Sequence, residues 1–210
     1  MTDLQKLYDA VLTGNLPLAK EVTQEAIDEK IDPQLIINNY MSKAMEEIGA
    51  RFEAGKAFVP ELLMAARAMK GALELLKPVM ESAKTERIGT VIIGTVKGDL
   101  HDIGKNLVAS MLEGCGFEVI NIGVDIPAEK FVTEAEAHNA NIICLSALLT
   151  TTMTYMQDVV NAVKESSLKD KVKVMIGGAP VNDSFAKQIG ADGYSDNANS
   201  AVALAKKLIA

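Results

Sequence analysis

Apolar residues recur at helical spacing over roughly the first 85 positions, at 4, 7, 11 and 12, then through 16–27, 35–48 and 62–76. Recurrence every three or four residues puts these side chains on one face of a helix, and no strand-like alternation interrupts the pattern. Punctuation divides the region into four helices. Thr2 is placed to cap the first, Gly14-Asn15 separates a second, Asp32-Pro33 starts a third, and Gly55 to Pro60 precede a fourth. Connections this short favour antiparallel neighbours, so residues 1–86 are expected to form a four-helix bundle. Pro78 and the polar run ESAKTER at 81–87 are expected to form a linker.

Beyond residue 87 the period changes. The runs IGTVIIGTV, FEVINIG, NIICLSA and KVKVMIGG are short and rich in β-branched residues, and helical segments alternate with them at about 104–114, 128–138, 152–166 and 181–189. A short DGYS and a final helix at 198–209 complete the series. About five strand–helix repeats predict a doubly wound parallel sheet with helices on both faces. The fold class is therefore α/β: an N-terminal four-helix bundle, then a flavodoxin-like (Rossmann-like) five-stranded sheet over residues 87–210, with strand order 2-1-3-4-5.

Composition narrows the function classes. With 49% hydrophobic and 23% charged residues the chain is globular, and its apolar runs are strand-length, well below the roughly 20 residues that span a bilayer. The N-terminus MTDLQKLYDAVL lacks a basic segment followed by an apolar one, so no membrane partner and a cytoplasmic location are expected. A net charge of -7 without a basic cluster argues against a nucleic-acid partner. Cys115 and Cys144 have neither metal-site nor disulfide spacing and read as small buried residues.

In an open parallel sheet the loops after the strands share one edge, and ligands bind where the strand order reverses, here between strands one and three. The loop after strand one is KGDLHD, strand three ends in LSALLTTT and strand four ends in IGGAP, so the chain's polar and glycine oddities converge on one rim. Each has an ordinary structural reading alone: Asp99 or Asp102 as a helix cap, His101 as a solvated loop residue, Thr150, Thr151 and Thr152 as caps for the next helix, Gly177-Gly178 as a tight turn. Together they describe an open site lined by small residues, Ser146 and Ala147 among them, and centred on an imidazole, which suits a large ligand carrying a metal. His138 reads as a solvated or C-capping residue, and Asp125, just ahead of Pro127, as a residue that helps start a helix.

Asp99-Leu100-His101-Asp102-Ile103-Gly104, then Ser146-Ala147-Leu148, then Gly177-Gly178, resemble the Asp-x-His-x-x-Gly, Ser-x-Leu and Gly-Gly signature of cobalamin-binding domains. The segment AMEEIGARFEAGKAFVPELLMAARAM at 44–69 is similar to the helical cap that precedes the cobalamin domain in methionine synthase and in corrinoid proteins of methyltransferase systems. The resemblance covers essentially the whole chain and is greatest to the stand-alone corrinoid proteins of methanol, methylamine and methoxy-compound metabolism.

The resemblance implies cobalamin, as methylcobalamin or a related corrinoid, bound with its own base displaced and His101 as the lower ligand of cobalt. Asp99 matches the carboxylate of a proton relay and Thr152 the hydroxyl that completes it, a serine in methionine synthase. Gly98, Leu100, Asp102, Gly104, Leu148 and Thr150 would belong to the cofactor site, and Ser146, Gly177 and Gly178 would line a slot for the nucleotide tail. A neutral imidazole suits a transition metal, and a hydrogen bond to its second nitrogen fixes the tautomer. Four-coordinate cobalt(I) must release this ligand, and a protonatable Asp99–His101 unit can shift that balance by about 1.4 kcal/mol per pK unit of coupling. Phe58, Leu62 and Met64 match an apolar lid, although the same periodicity fits ordinary bundle core. The segment from Pro78 to Arg87 would be the hinge that moves the lid aside.

A methyl carrier of this kind is non-catalytic. It would be methylated by a substrate-specific methyltransferase, demethylated by an acceptor methyltransferase acting on a thiol or a tetrahydrofolate-type acceptor, and rescued by a reductive activation protein. The alternatives are a cobalamin-dependent sensor, which would need a DNA-binding domain, and the small subunit of an adenosylcobalamin mutase, which generally lacks the helical cap. A flavodoxin-like domain binding a nucleotide would leave the three motif pieces and the cap to chance.

Overall fold

The computed structural model describes residues 2–82 and 88–210, and the side chains of Lys77 and Met80 to Ser82 are not among those described. The chain divides into two compact units, Met1–Arg87 with Glu113–Gly116, and Ile88–Leu112 with Phe117–Ala210.

The first unit is helical. It contains α1 (Leu4–Leu12), α2 (Leu16–Asp28), α3 (Pro33–Ile36), a π-helical turn at Ile37–Met41 that runs directly into α4 (Ser42–Glu53), and α5 (Val59–Ser82). Three of the four boundaries follow the sequence signals. Asn15 caps α2 by accepting from the Leu18 N–H, Asp32 caps α3 by accepting from the Gln34 N–H, and Gly14 makes the intervening turn at φ +72°. The first cap differs from expectation: Asp3, not Thr2, accepts from the Gln5 N–H, because the carboxylate lies directly before the first helical residue. At the start of α5 the Glu61 carboxylate accepts the Phe58 N–H at 2.8 Å, the reciprocal half of a capping box.

The bundle core is apolar: Leu7, Ile36, Met41, Met45, Leu62, Met69 and Leu76 are all fully buried. The π turn, closed by Ser42 N–H to the Ile37 carbonyl, adds a residue to the helical repeat between Ile37 and Met41. Pro78 does not end the helix as expected. It lies inside α5, on its exposed side, and the helix continues to Ser82. A proline removes one hydrogen bond, here to the carbonyl of Glu74, and exposure lets water take its place. The rest of the expected linker, residues 83–87, lies outside the described residues.

The second unit alternates β1 (Thr90–Val96), α6 (Ile103–Gly114), β2 (Glu118–Ile126), α7 (Ala128–Ala137), β3 (Ile142–Ser146), α8 (Thr154–Glu165), β4 (Lys173–Gly177), α9 (Asp183–Ile189), β5 (Gly193–Ser195) and α10 (Ala198–Ile209). All pairings are parallel and the sheet order is β2-β1-β3-β4-β5. Ile92, Val96, Ile143, Leu145, Val174 and Ile176 pack with Phe131 of α7, Val159 and Val163 of α8 and Ile189 of α9 in one core. The alternate residues Val91, Ile93, Ile142, Cys144 and Met175 are also buried and point to the other face, the side of α6 and α10.

The edge strand β2 runs three residues past the predicted FEVINIG segment. Its register against β1 slips twice: Ile93 pairs with Asn121, Gly94 with Gly123, and Val96 with Ile126. Each slip is a bulge that inserts one residue into β2, and Gly123 (φ +97°) and Asp125 (φ +56°) take up the distortion.

Candidate functional site

The end of β1 turns sharply. The Asp99 N–H donates to the Val96 carbonyl at 3.2 Å, and Gly98 takes φ +78° at the third position of this turn, where a side chain would be strained. Asp125 holds the turn from the neighbouring strand: its carboxylate accepts the Gly98 N–H at 2.7 Å, while its own N–H donates to the Asp99 carbonyl at 3.0 Å. Asp125 therefore does not start α7, whose cap position is Pro127 without a side-chain hydrogen bond.

Asp99 is completely buried and every acceptor direction is used. Oδ1 accepts from the His101 ring at Nδ1, 2.7 Å, and from the His101 N–H, 3.1 Å. Oδ2 accepts from the Leu148 and Leu149 N–H groups at 2.8 and 3.2 Å and lies 2.7 Å from the Thr152 hydroxyl. Burial by itself would raise its pKa, but the Leu148 amide, the Thr152 hydroxyl and the two His101 donors together outweigh that and hold the carboxyl well below the usual carboxylate range. Asp99 is thus an anion, and the nitrogen facing it is the protonated one. The lone pair of His101 is left on Nε2. The imidazole is about half exposed, and Thr95, buried in β1, fixes its backbone by donating to the His101 carbonyl at 2.8 Å.

Around His101 lies an apolar rim that nothing in the second unit covers: Leu100 is 72% exposed and Ile103 88%, and Leu148 and Leu149 are also exposed. Gly104, in the first turn of α6, has open space where a Cβ would be. A glycine there costs the helix about 1 kcal/mol relative to alanine and nothing within the chain requires it. Asp102 accepts from the Asn106 N–H through its carbonyl and from the Asn106 side chain through its carboxylate, joining loop to helix.

The other sequence-predicted residues are placed as follows. Ser146 ends β3, half-buried beside Gly177 of β4 in the register, and its hydroxyl has no partner among the described residues. Gly178 has an internal reason to be glycine: at φ +132° a Cβ would collide with the Ala147 carbonyl oxygen. At Gly177 a Cβ would crowd the Ser195 carbonyl at 3.2 Å. Thr150 is exposed at the rim, and Thr152 is no helix cap, since α8 starts after Met153 without a side-chain cap. In the bundle unit Phe58 and Met64 are exposed at 68% and 48%, whereas Leu62 is fully buried in the bundle core.

Sequence reasoning missed Thr95, Asp125 and the pair Lys105 and Asn121. Thr95 had a signal, a hydroxyl in an otherwise apolar strand; Asp125 had none, because its place depends on the two bulges. Lys105 is buried in the first turn of α6, its ammonium donating to Asn106 Oδ1 at 2.8 Å and Asn121 Oδ1 at 2.6 Å. Burial pulls its pKa below the ordinary lysine value, opposed by the charge of Asp102. Burial also pushes the nearby Cys144 thiol up to about 12, with Lys105 pulling the other way.

An anion-backed imidazole with a free Nε2, set in an apolar rim beside a glycine that leaves open space, fits a flat metal-bearing ligand that needs one nitrogen from the protein. Among the described residues no group of three or more His, Cys, Asp or Glu could hold a bare metal ion, so the metal's other ligands would come with the ligand itself. This defines the class: a cobalamin-binding domain, whose corrin would bring the metal's remaining nitrogen ligands with it. Comparison with known proteins agrees. Residues 89–203 and residues 3–77 each match a family described as a B12 binding domain. Dimethylamine corrinoid protein 1 of Methanosarcina acetivorans is 46% identical over 208 residues, covering 99% of this chain and 97% of that protein. Among solved structures, a cobalamin-binding protein from Desulfitobacterium hafniense is 32% identical, with a TM-score of 0.84 and full coverage of both chains. The methanol:cobalamin methyltransferase complex MtaBC of Methanosarcina barkeri is 29% identical, with a TM-score of 0.83, covering 98% of this chain and 79% of that one. The chain belongs to the B12-binding corrinoid proteins, alongside those of methylamine metabolism, and its cofactor is a corrinoid.

Proposed function

We propose that this chain is a methyl carrier that holds its corrinoid base-off with His101 as the lower ligand of cobalt. It would accept a methyl group from a substrate-specific methyltransferase and yield it to an acceptor methyltransferase acting on a thiol or a tetrahydrofolate-type acceptor, with a reductive activation protein restoring lapsed cofactor. The names of the dimethylamine and trimethylamine relatives favour a methylamine as donor. The observation that carries the reading is the Asp99–His101 hydrogen bond, with Thr152 on the far carboxylate oxygen.

The bound corrinoid supplies the methyl-carrying chemistry through its cobalt. The protein's part is to orient one nitrogen and to set its basicity. Asp99 keeps the Nδ1 proton in place, so Nε2 is the donor atom. Thr152 and the two loop amides keep Asp99 charged, so the carboxylate remains an acceptor for the His101 ring. Leu100, Ile103, Leu148 and Leu149 provide an apolar seat around the imidazole, and Phe58 and Met64, both exposed on the bundle unit, would serve as a lid.

The test is anaerobic reconstitution with corrinoid, followed by absorption and cobalt(II) electron paramagnetic resonance spectra of wild type and His101→Ala. Nitrogen coupling in the wild type that disappears in the variant is expected. A protein that takes up no corrinoid overturns the carrier reading, and coupling that survives the substitution overturns His101 as ligand.

A further inference from the structure

Lys105 is an unusual place for a cation. It is 4% exposed, it sits in the first turn of a helix, where the backbone dipole repels positive charge, and among the described residues its ammonium forms no ion pair. Its two partners are neutral amide oxygens, which leaves one of three N–H donors unused, and the opposing charge of Asp102 acts on it without an ion-pair contact. Those amides are themselves tied down: the Asn121 side chain donates to Asn106 Oδ1, the Asn121 oxygen also accepts the Gly123 N–H in the β2 bulge, and Asn106 donates to Asp102. The network thus fixes the ammonium, and the nearby Asp102 carboxylate, tied up by Asn106, offsets its charge only from a distance. A buried cation with no anion in contact is costly, and an anion arriving at its unused donor would relieve that cost.

The location narrows the anion. Lys105 follows the His101 ligand position by four residues and lies beside Cys144, on the sheet face that Cys144 shares with Ser146 two residues further on. Two lysines of this unit that pair with carboxylates, Lys173 with Asp192 and Lys187 with Asp183, have far more exposed side chains. Among the peripheral groups of cobalamin one is anionic, the phosphodiester that joins its nucleotide tail to the corrin, while the corrin side chains are neutral amides.

We propose that Lys105, held by Asn106 and Asn121, is the counter-ion of the tail phosphodiester and makes this chain selective for corrinoids that carry that phosphate. The proposal rests on the corrinoid site described above. The tail phosphate supplies the missing contact anion, and the pre-placed ammonium gains a charge-assisted hydrogen bond without first being ordered.

The experiment is an absorbance titration of the cofactor-free full-length protein with three ligands, cobalamin, cobinamide phosphate and phosphate-free cobinamide, for wild type, Lys105→Met and Lys105→Arg. Wild type is expected to bind the two phosphate-bearing ligands about tenfold to a hundredfold more tightly than cobinamide, the span of one charge-assisted hydrogen bond. Lys105→Met should lose that preference and keep the wild-type affinity for cobinamide, and Lys105→Arg should retain most of it. Equal losses for all three ligands, or an undiminished preference in Lys105→Met, overturn the proposal. If Lys105→Met does not fold, Lys105→Arg and the wild-type ranking decide: a wild type that does not distinguish cobinamide from cobinamide phosphate refutes it. Wild type that binds none of the three defeats the corrinoid site itself, a separate outcome.

Discussion

The two units of this chain bury different things. Among the described residues of the helical unit the one buried polar side chain is Thr23, whose hydroxyl donates to the Ala19 carbonyl of its own helix at 2.7 Å; the described core is otherwise aliphatic and methionine-rich. In the sheet unit Thr95, Asp99, Lys105, Thr152 and Ser195 are all buried, and three of them, Thr95, Asp99 and Thr152, bond to His101 or to the carboxylate that holds it. Apolar burial is forgiving in detail, because it depends on area and volume. A buried carboxylate with five donors is not, because each donor left unanswered costs the full desolvation of that group. The described core of the helical unit is thus apolar packing, while the sheet unit spends part of its interior on positioning.

The comparison breaks most readily at Leu62. Leu62→Ala should lower stability by about 2–5 kcal/mol, the range for truncating a fully buried leucine. Denaturant unfolding measures it, and the spectrum of bound corrinoid should remain that of wild type. A changed spectrum would give Leu62 the lid role that its burial argues against.

Asp99→Asn is the corresponding cut in the sheet unit and should cost about 1–3 kcal/mol, because an amide nitrogen would now face donors. It also sharpens the contrast through pH. The folded Asp99 pKa lies below the unfolded value of about 3.9, so its contribution is complete above that value and is lost as pH falls through it toward the folded one. Unfolding curves of cofactor-free protein between pH 6 and pH 3 should show wild type losing stability more steeply than Asp99→Asn. Parallel curves would mean that Asp99 gains nothing from its donors.

Gly104→Ala should produce the smallest effect, and of opposite sign. With open space at the Cβ position, alanine should stabilise the cofactor-free protein by about 0.5–1 kcal/mol through helix propensity while weakening corrinoid uptake in the same titration. Stabilisation without weakened uptake would remove the ligand from the explanation of this glycine.

Most of this architecture was legible in the sequence. The switch from helical to alternating period, the 2-1-3-4-5 order and the convergence of KGDLHD, LSALLTTT and IGGAP on one rim follow from patterning and chirality rules that leave few options. Pro78 misled because a proline signal assumes a buried or hydrogen-bonded context, and on the exposed face of α5 the helix absorbs it. Asp before Pro has the local meaning of a helix start, whereas the actual role of Asp125 depends on pairing between two strands, which no local window contains. Lys105 is hidden in the sequence for a similar reason. A lysine in an amphipathic segment reads as surface, and only the meeting of α6 with Asn121 of the bulged strand places it inside.

The bulges in β2 also determine how far the histidine loop can travel as a unit. Residues 97–104 carry the Asp-x-His-x-x-Gly piece of the signature, yet the loop is anchored by Asp125 from one neighbouring strand and by the Leu148 and Leu149 amides that follow another. Grafted onto a sheet whose edge strand lacks the two inserted residues, the same eight residues would present an imidazole with no fixed aim. The portable module is a three-strand segment, and a shorter graft would transfer the motif without its geometry.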